Sequence, residues 1–306
     1  MAVDEYQNNT IKKHEFTRVE KEKDRINHFD VCDADTEPVF LTYRDDKRIR
    51  TIMEGYVANH EPEYDITSDD GIQHTLWVVD DPELVKSLTG LFDEIPALYI
   101  ADGHHRSASA CKVGLKRREE HPDYTGDEEF NFFMAVIFPD NDLKIFDYNR
   151  VVKDLNGNTS EEFLEKIREA GFDVEEKGSD IYYPEGKHIF AMFLDGKWYK
   201  LTARDSIIPD HVTESLDVAV LQNSLLHPIL GIEDPRTDKR IDFVGGIRGL
   251  EELEKRVNDD MKVAFAVYPV DVDDLLRVAD NNMVMPPKST WFEPKLGSGL
   301  FLHSLK

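Results

Sequence analysis

A short apolar run that breaks into a polar turn and then into a small-residue helix constrains this chain most. Pro96-Ala-Leu-Tyr-Ile100 reads as a strand, Ala101-Asp-Gly-His-His-Arg106 as a turn, and Ser107-Ala-Ser-Ala-Cys111 as the opening of a helix running towards Glu120. A strand that gives way to a helix so quickly must belong to a sheet with helices packed on it. The rest of the sequence repeats that alternation. Strands are expected over 38–43, 74–79, 130–138, 143–152 and 263–267. Helices are expected over 12–30, 49–58, 107–120, 213–226 and 271–279, and from Pro82, where Asp81-Pro82 is a good start and Leu84, Val85, Leu88, Leu91 and Phe92 share one face. Thr159 with Glu162 three residues on resembles a capping box for a helix that Gly171 stops. Asp195-Gly196 joins the runs 189–194 and 197–201 as a hairpin. The class is mixed α and β, with a boundary placed near residue 155 and no internal repeat.

Composition narrows the function classes. The chain has 62 Asp and Glu against 37 Lys and Arg among 306 residues, a formal net charge of −25. So acidic a surface repels DNA and anionic membrane at long range. No apolar run approaches the ~20 residues that cross a bilayer, and the N-terminus lacks the basic and apolar regions of a signal peptide. Cys32 and Cys111 are too few for a disulfide framework, and Cys111 reads as a buried structural thiol. These features leave a cytoplasmic enzyme or binding protein.

Chemistry concentrates in Asp102-Gly-His-His-Arg106. Gly103 permits a positive φ and close backbone approach, and a helix start offers N–H groups and the positive end of the dipole to a phosphate. Arg106 could grip phosphate bidentately, and His104 or His105 could donate hydrogen bonds or exchange protons near neutral pH. The plain alternative is a surface turn with an Asp cap and a solvated Arg. Asp102, His104 and His105 also admit a metal reading, although adjacent histidines rarely converge on one ion and no HExxH spacing supports them. Mg²⁺ arriving with a nucleotide fits better than a tightly held zinc. A second constellation, Lys12-Lys-His-Glu-Phe-Thr-Arg18 followed by Glu22, Asp24, Arg25 and His28, reads as a solvated charged helix in which Arg18, Glu22 and Arg25, or Glu15, Arg18 and Glu22, share a face. A base and cations are available there. Lys288-Ser-Thr290 lacks the GxxxxG of a P-loop, and Gly245-Gly-Ile-Arg-Gly249 lacks the dinucleotide GxGxxG. Both still place cations, Lys288, Lys295 and Arg248, in an acidic chain.

Four segments, Lys13-His-Glu-Phe-Thr-Arg18, Tyr99-Ile-Ala-Asp-Gly-His-His-Arg106, Asp147-Tyr-Asn-Arg150 and Met285-Pro-Pro-Lys-Ser-Thr-Trp-Phe-Glu-Pro-Lys295, resemble the signatures of the bacterial family known as domain of unknown function 1015. The resemblance spans nearly the whole chain. Family members carry a longer N-terminal part, so some of the usual fold is expected to be missing. The Asp-Gly-His-His-Arg turn is similar to the phosphate-binding turn of the ParB/sulfiredoxin-like superfamily, which includes partition proteins, sulfiredoxins and kinases of free L-serine. Family members are often encoded beside serine-biosynthesis genes, which points to the kinase branch.

The resemblance implies a ParB/sulfiredoxin-like core around a mixed sheet over residues 1–155, followed by a smaller α+β part over 156–306. It implies that Gly103, His104, His105, Arg106 and Ser107, with Arg18 and Lys288, bind the phosphates of ATP or ADP, and that Asp102 positions Mg²⁺ or the histidines. Glu15, Asp102, His104 and His105 are the candidates for proton transfer. The expected reaction moves a phosphoryl group between a nucleotide and a small hydroxyl metabolite, first of all L-serine, with phosphoserine dephosphorylation as the reverse. The alternatives are a metal-dependent phosphoesterase using Asp102, His104 and His105, and a nucleotide-binding regulatory protein without metabolite chemistry. No nucleic-acid or membrane partner is expected; a homo-oligomer is compatible.

Overall fold

Val39-Phe-Leu-Thr-Tyr43 is buried at every residue, and Leu98-Tyr-Ile-Ala-Asp102 at every residue but the last. Two such runs side by side make the middle of a sheet. The computed structural model describes residues 1–69, 71–293 and 295–306. The chain divides into two units, Met1–Lys12 with Ile26–Asp142 and Phe301–Lys306, and Lys13–Arg25 with Leu143–Leu300. Among the described residues no helix is long and apolar enough to cross a membrane.

The first unit contains, in chain order, β1 (Ile11–Lys12), β2 (Val39–Tyr43), α1 (Lys47–Asn59), α2 (Pro82–Asp93), β3 (Leu98–Asp102), α3 (His104–Glu120) and β4 (Ala135–Pro139). Its sheet runs β1-β3-β2-β4 and is mixed: β1 is parallel to β3, β3 antiparallel to β2, and β2 parallel to β4. The Asp46 carboxylate accepts from the Arg48 N–H at the head of α1, and Asp81 accepts from the N–H groups of Glu83 and Leu84 with Pro82 in the first turn of α2. Ile11, Leu41, Ile100, Val113 and Phe133 fill the core, each burying apolar area that stabilises by about 1.5–3 kcal/mol. Cys111 is buried in α3 as expected.

Three expectations shift here. The N-terminal helix covers Val19–Cys32, not 12–30, because Lys12 is committed to β1 and its pairing with Tyr99. The strand expected at 130–138 is only Ala135–Pro139; a 3₁₀ turn, Glu129–Asn131, precedes it, closed by the Asn131 amide donating to the Glu128 carbonyl and carboxylate. The strand at 74–79 is Gln73–Leu76, paired with Tyr64–Thr67 in a separate two-stranded ribbon.

The second unit contains β5 (Tyr148–Val152), α4 (Ser160–Glu169), β6 (Phe172–Gly178), β7 (Ile189–Leu194), β8 (Lys197–Ala203), α5 (Asp217–Leu221), β9 (Ile241–Gly245), α6 (Glu251–Asp259), β10 (Val263–Ala266) and α7 (Val272–Asp280). The sheet order is β6-β8-β7-β10-β5-β9, antiparallel throughout. Thr159 and Glu162 close the capping box of α4, and Asp195 and Gly196, at φ 49° and 76°, make the β7–β8 turn. One apolar cluster packs Phe163, Ile167, Phe190 and Phe265; a second packs Trp198, Leu253 and Ala264. The run 143–152 splits into two strands, because Lys144–Phe146 pairs with Trp291–Glu293 while β5 joins the large sheet. The helix expected over 213–226 is α only at Asp217–Leu221 and continues as the π-helical turn Gln222–Leu226.

Candidate functional site

The predicted turn is tighter than its sequence suggests. Ala101 and Asp102 remain in β3, and α3 begins at His104, three residues before the small-residue run. Gly103 makes the whole turn alone, at φ 97° and ψ 28°, the left-handed region that glycine enters without strain. His104, His105 and Arg106 therefore form the first turn of a helix. Ser107 donates its N–H to the Gly103 carbonyl at 2.9 Å and its hydroxyl to the same oxygen at 3.1 Å. The N–H groups of the three residues before Ser107 stand ahead of the helix's own hydrogen-bond ladder, and no acidic residue sits in that first turn. The strand that feeds it lies inside the sheet, between β1 and β2. Ser107 and Ser109 are fully buried, and His104 is 5 % exposed.

Arg106 does not extend into solvent. Its Nη1 donates to the Pro38 carbonyl at 2.8 Å and to the Glu37 carboxylate at 3.2 Å, and its Nη2 lies 3.6 Å from the Asp102 carboxylate. The guanidinium folds over Gly103, so that a Cβ there would stand 3.0 Å from Nε. Antiparallel pairing sets this arrangement: Phe40 opposes Asp102, which brings the residues just before β2 alongside the end of β3. Glu37 is thus a member of the site that sequence reasoning missed. The signal lay in the register of two strands about 60 residues apart, not in any local motif.

Among the described residues no three His, Cys, Asp or Glu side chains group to hold a metal ion. Asp102, His104 and His105 accordingly do not form the ligand set that a phosphoesterase of that design requires. A single carboxylate at Asp102 fits the weaker demand of Mg²⁺, which is usually held by one or two carboxylates together with substrate phosphates.

Glu15, Arg18 and Lys288 belong to the second unit. Glu15 and Arg18 are exposed, and Glu15 stands four residues before the helix Val19–Cys32, so the expected helical face of Glu15, Arg18 and Glu22 does not form. Glu22 is turned inward at 5 % exposure and accepts from the Thr17 hydroxyl.

Within the second unit three other motifs converge. Arg150 is buried; it donates to the Tyr148 carbonyl and, at 3.1 Å, to the Lys288 carbonyl, and lies 5.5 Å over the Phe243 ring. Burial lowers its guanidinium to about 10. Lys288 takes a left-handed φ of 58°, with Nζ 3.3 Å from the Tyr148 hydroxyl and 5.1 Å over its ring. Trp291 meets the same tyrosine edge-on at 5.5 Å. Gly245-Gly246 is no phosphate loop. A Cβ on Gly245 would stand 2.7 Å from Trp291, and one on Gly246 2.0 Å from the Asp147 carboxylate, whose protonation burial favours. Pro294, part of the tail motif, lies outside the described residues.

No curated protein matches the sequence. Among solved structures, a free serine kinase in complex with AMP is similar at 14 % identity and a TM-score of 0.46, covering 97 % of this chain and 89 % of the kinase. A C-terminally truncated SbnI from Staphylococcus aureus is similar at 10 % identity and a TM-score of 0.49, with 98 % and 84 % covered. A conserved hypothetical protein from Pyrococcus furiosus is similar at 14 % identity and a TM-score of 0.42, with 97 % and 93 % covered. In sequence, residues 1–219 match the family described as "Protein of unknown function (DUF1015)". The chain that carries this strand, single-glycine turn and helix belongs to that family.

Proposed function

We propose that the protein is a cytoplasmic, nucleotide-dependent phosphotransferase, and that Asp102 to Ser107 bind the nucleotide's phosphates. The observation that carries this reading is Gly103, which alone turns the end of an interior strand into α3 and leaves no acidic residue in that helix's first turn. The positive end of the dipole and the leading N–H groups favour negative charge there. Glu15, Arg18 and Lys288 lie in the second unit, and the reading rests on the first unit alone.

The proposed reaction transfers the terminal phosphoryl group of ATP or ADP to a small hydroxyl metabolite, with L-serine as the first candidate. The phosphorus–oxygen bond to the nucleotide breaks, a bond to the substrate oxygen forms, and the hydroxyl proton passes to a base. Mg²⁺ bound with a nucleotide supplies neutralisation of phosphate charge. Arg106, braced by Glu37 and the Pro38 carbonyl, holds the turn in shape, and Asp102 beside it is the carboxylate proposed to meet the ion.

Full-length protein incubated with Mg²⁺, ATP or ADP and L-serine should yield phosphoserine by mass spectrometry. Arg106→Ala should lower kcat/KM at least about 100-fold with the thermal transition retained. Phosphate release without nucleotide, nucleotide binding without transfer to any free hydroxy amino acid, or full activity of the variant would each defeat the reading.

A further inference from the structure

The second unit holds a cavity of about 70 Å³ lined by Lys187, His188, Asp217, Tyr268, Asp274 and Arg277. Such a volume exceeds what a single water needs. The lining residues come from four places: the residues just before β7, the first residue of α5, the segment after β10, and α7.

Two polar atoms here are left over among the described residues. Asp217 is 6 % exposed; its Oδ1 accepts the His188 N–H at 2.9 Å, and its Oδ2 has no hydrogen-bond partner. His188 Nδ1, 3.1 Å from the Asp217 carboxylate, makes no hydrogen bond either. Buried polar atoms of this kind are uncommon and call for an explanation. His188 also takes a left-handed φ of 63°, a conformation that costs energy for a residue with a side chain.

The charges are unbalanced. Lys187 bridges Asp271 at 2.8 Å and Asp274 at 2.7 Å, and Arg277 pairs with Asp274 at 2.8 Å. Three carboxylates, with Asp217 ionised, thus face two permanent cations. Burial together with Lys187 holds the His188 imidazole below its usual range, so it adds no charge near neutrality. A single positive charge is wanting, beside Asp217 Oδ2, the buried carboxylate oxygen of this cluster that has no partner among the described residues. A divalent metal is a poor candidate: the Lys187 ammonium already occupies Asp274, and no described residues group as a metal site.

We propose that this cavity binds a small primary ammonium compound, whose N–H groups bond Asp217 Oδ2 and whose alkyl part lies in the cavity. The inference is independent of the phosphotransfer reading. Burial raises the Asp217 carboxyl to about 7, with Lys187 opposing and Asp274 and Asp271 reinforcing the shift; Asp205 acts on His188. An acid titrating near 7 is roughly one-tenth ionised at pH 6 and nine-tenths at pH 8, so ammonium binding should release a proton and tighten about tenfold across that interval.

Calorimetric titration of the full chain with methylammonium chloride should show saturable one-to-one binding at pH 8, about tenfold weaker at pH 6. Asp217→Asn should weaken it at least tenfold. That variant should stay folded, because the amide matches the carboxyl in shape and carries no charge that burial would penalise. The pH series on the native protein tests the idea even if the variant does not fold. Absent binding at pH 8, equal affinity at both pH values, equal affinity in the variant, or equal affinity for K⁺ would overturn it.

Discussion

A histidine held between two carboxylates makes stability depend on pH, and His303 is so held. Its Nδ1 lies 3.2 Å from Asp35 and its Nε2 2.8 Å from Glu129. Hydrogen bonds to both carboxylates raise the imidazole above its ordinary value of 6.5, against the opposing effect of burial. A raised histidine contributes stability that is complete below the unfolded value and is lost as pH rises through the folded one. Thermal melts between pH 6 and pH 9 should therefore show a loss of stability that His303→Gln makes smaller. At pH 6 the substitution should cost about 1–2 kcal/mol, the scale of charge-assisted hydrogen bonds. An unchanged pH profile in the variant would refute the assignment. None of this was visible in the sequence, because His303 and Asp35 are 268 positions apart. The residues of the Asp-Gly-His-His-Arg turn were legible because they are contiguous. The pairing of Arg106 with Glu37 spans 69 positions and was not.

Helices and strands were read well where local chemistry is decisive. The capping box of α4, the proline start of α2 and the Asp-Gly turn of the β7–β8 hairpin all stand where expected. The strands missed within the large sheet, β6 and β9, are its two edges. Phe172-Asp-Val-Glu-Glu-Lys-Gly178 buries only its first residue and carries charges that a central strand would exclude. Packing decides whether propensity governs at the glycines of two helices. A Cβ at Gly55 of α1 would meet no described atom within 4 Å, so Gly55→Ala should stabilise by about 0.5–1 kcal/mol. At Gly114 of α3 a Cβ would stand 2.5 Å from the Phe130 carbonyl oxygen and 2.9 Å from Val3. Gly114→Ala should cost about 1–3 kcal/mol despite better helix propensity, since the obstacle is backbone. Chemical denaturation of both variants checks the pair; the same sign for both would show that propensity governs.

The whole molecule carries a net charge of −25, and folding gathers that charge into a smaller volume. Salt screens such repulsion over about 10 Å at 0.1 M. Raising NaCl from 20 mM to 0.5 M should lift the melting temperature by about 2–4 °C, equivalent to about 1 kcal/mol. A fall would mean that the ion pairs on the surface outweigh the repulsion.

The pairing of Ala34 and Asp35 with His303 and Ser304 also imposes an order on biosynthesis. A ribosome adding about 5–20 residues per second takes roughly 13–54 s to travel the 268 positions from Asp35 to His303. For the part of that interval after residue 139 the nascent first unit must persist with one ribbon unmade and Asp35 without its imidazole. Its earlier strands, all emerged by residue 139, carry the burden of keeping it from misfolding.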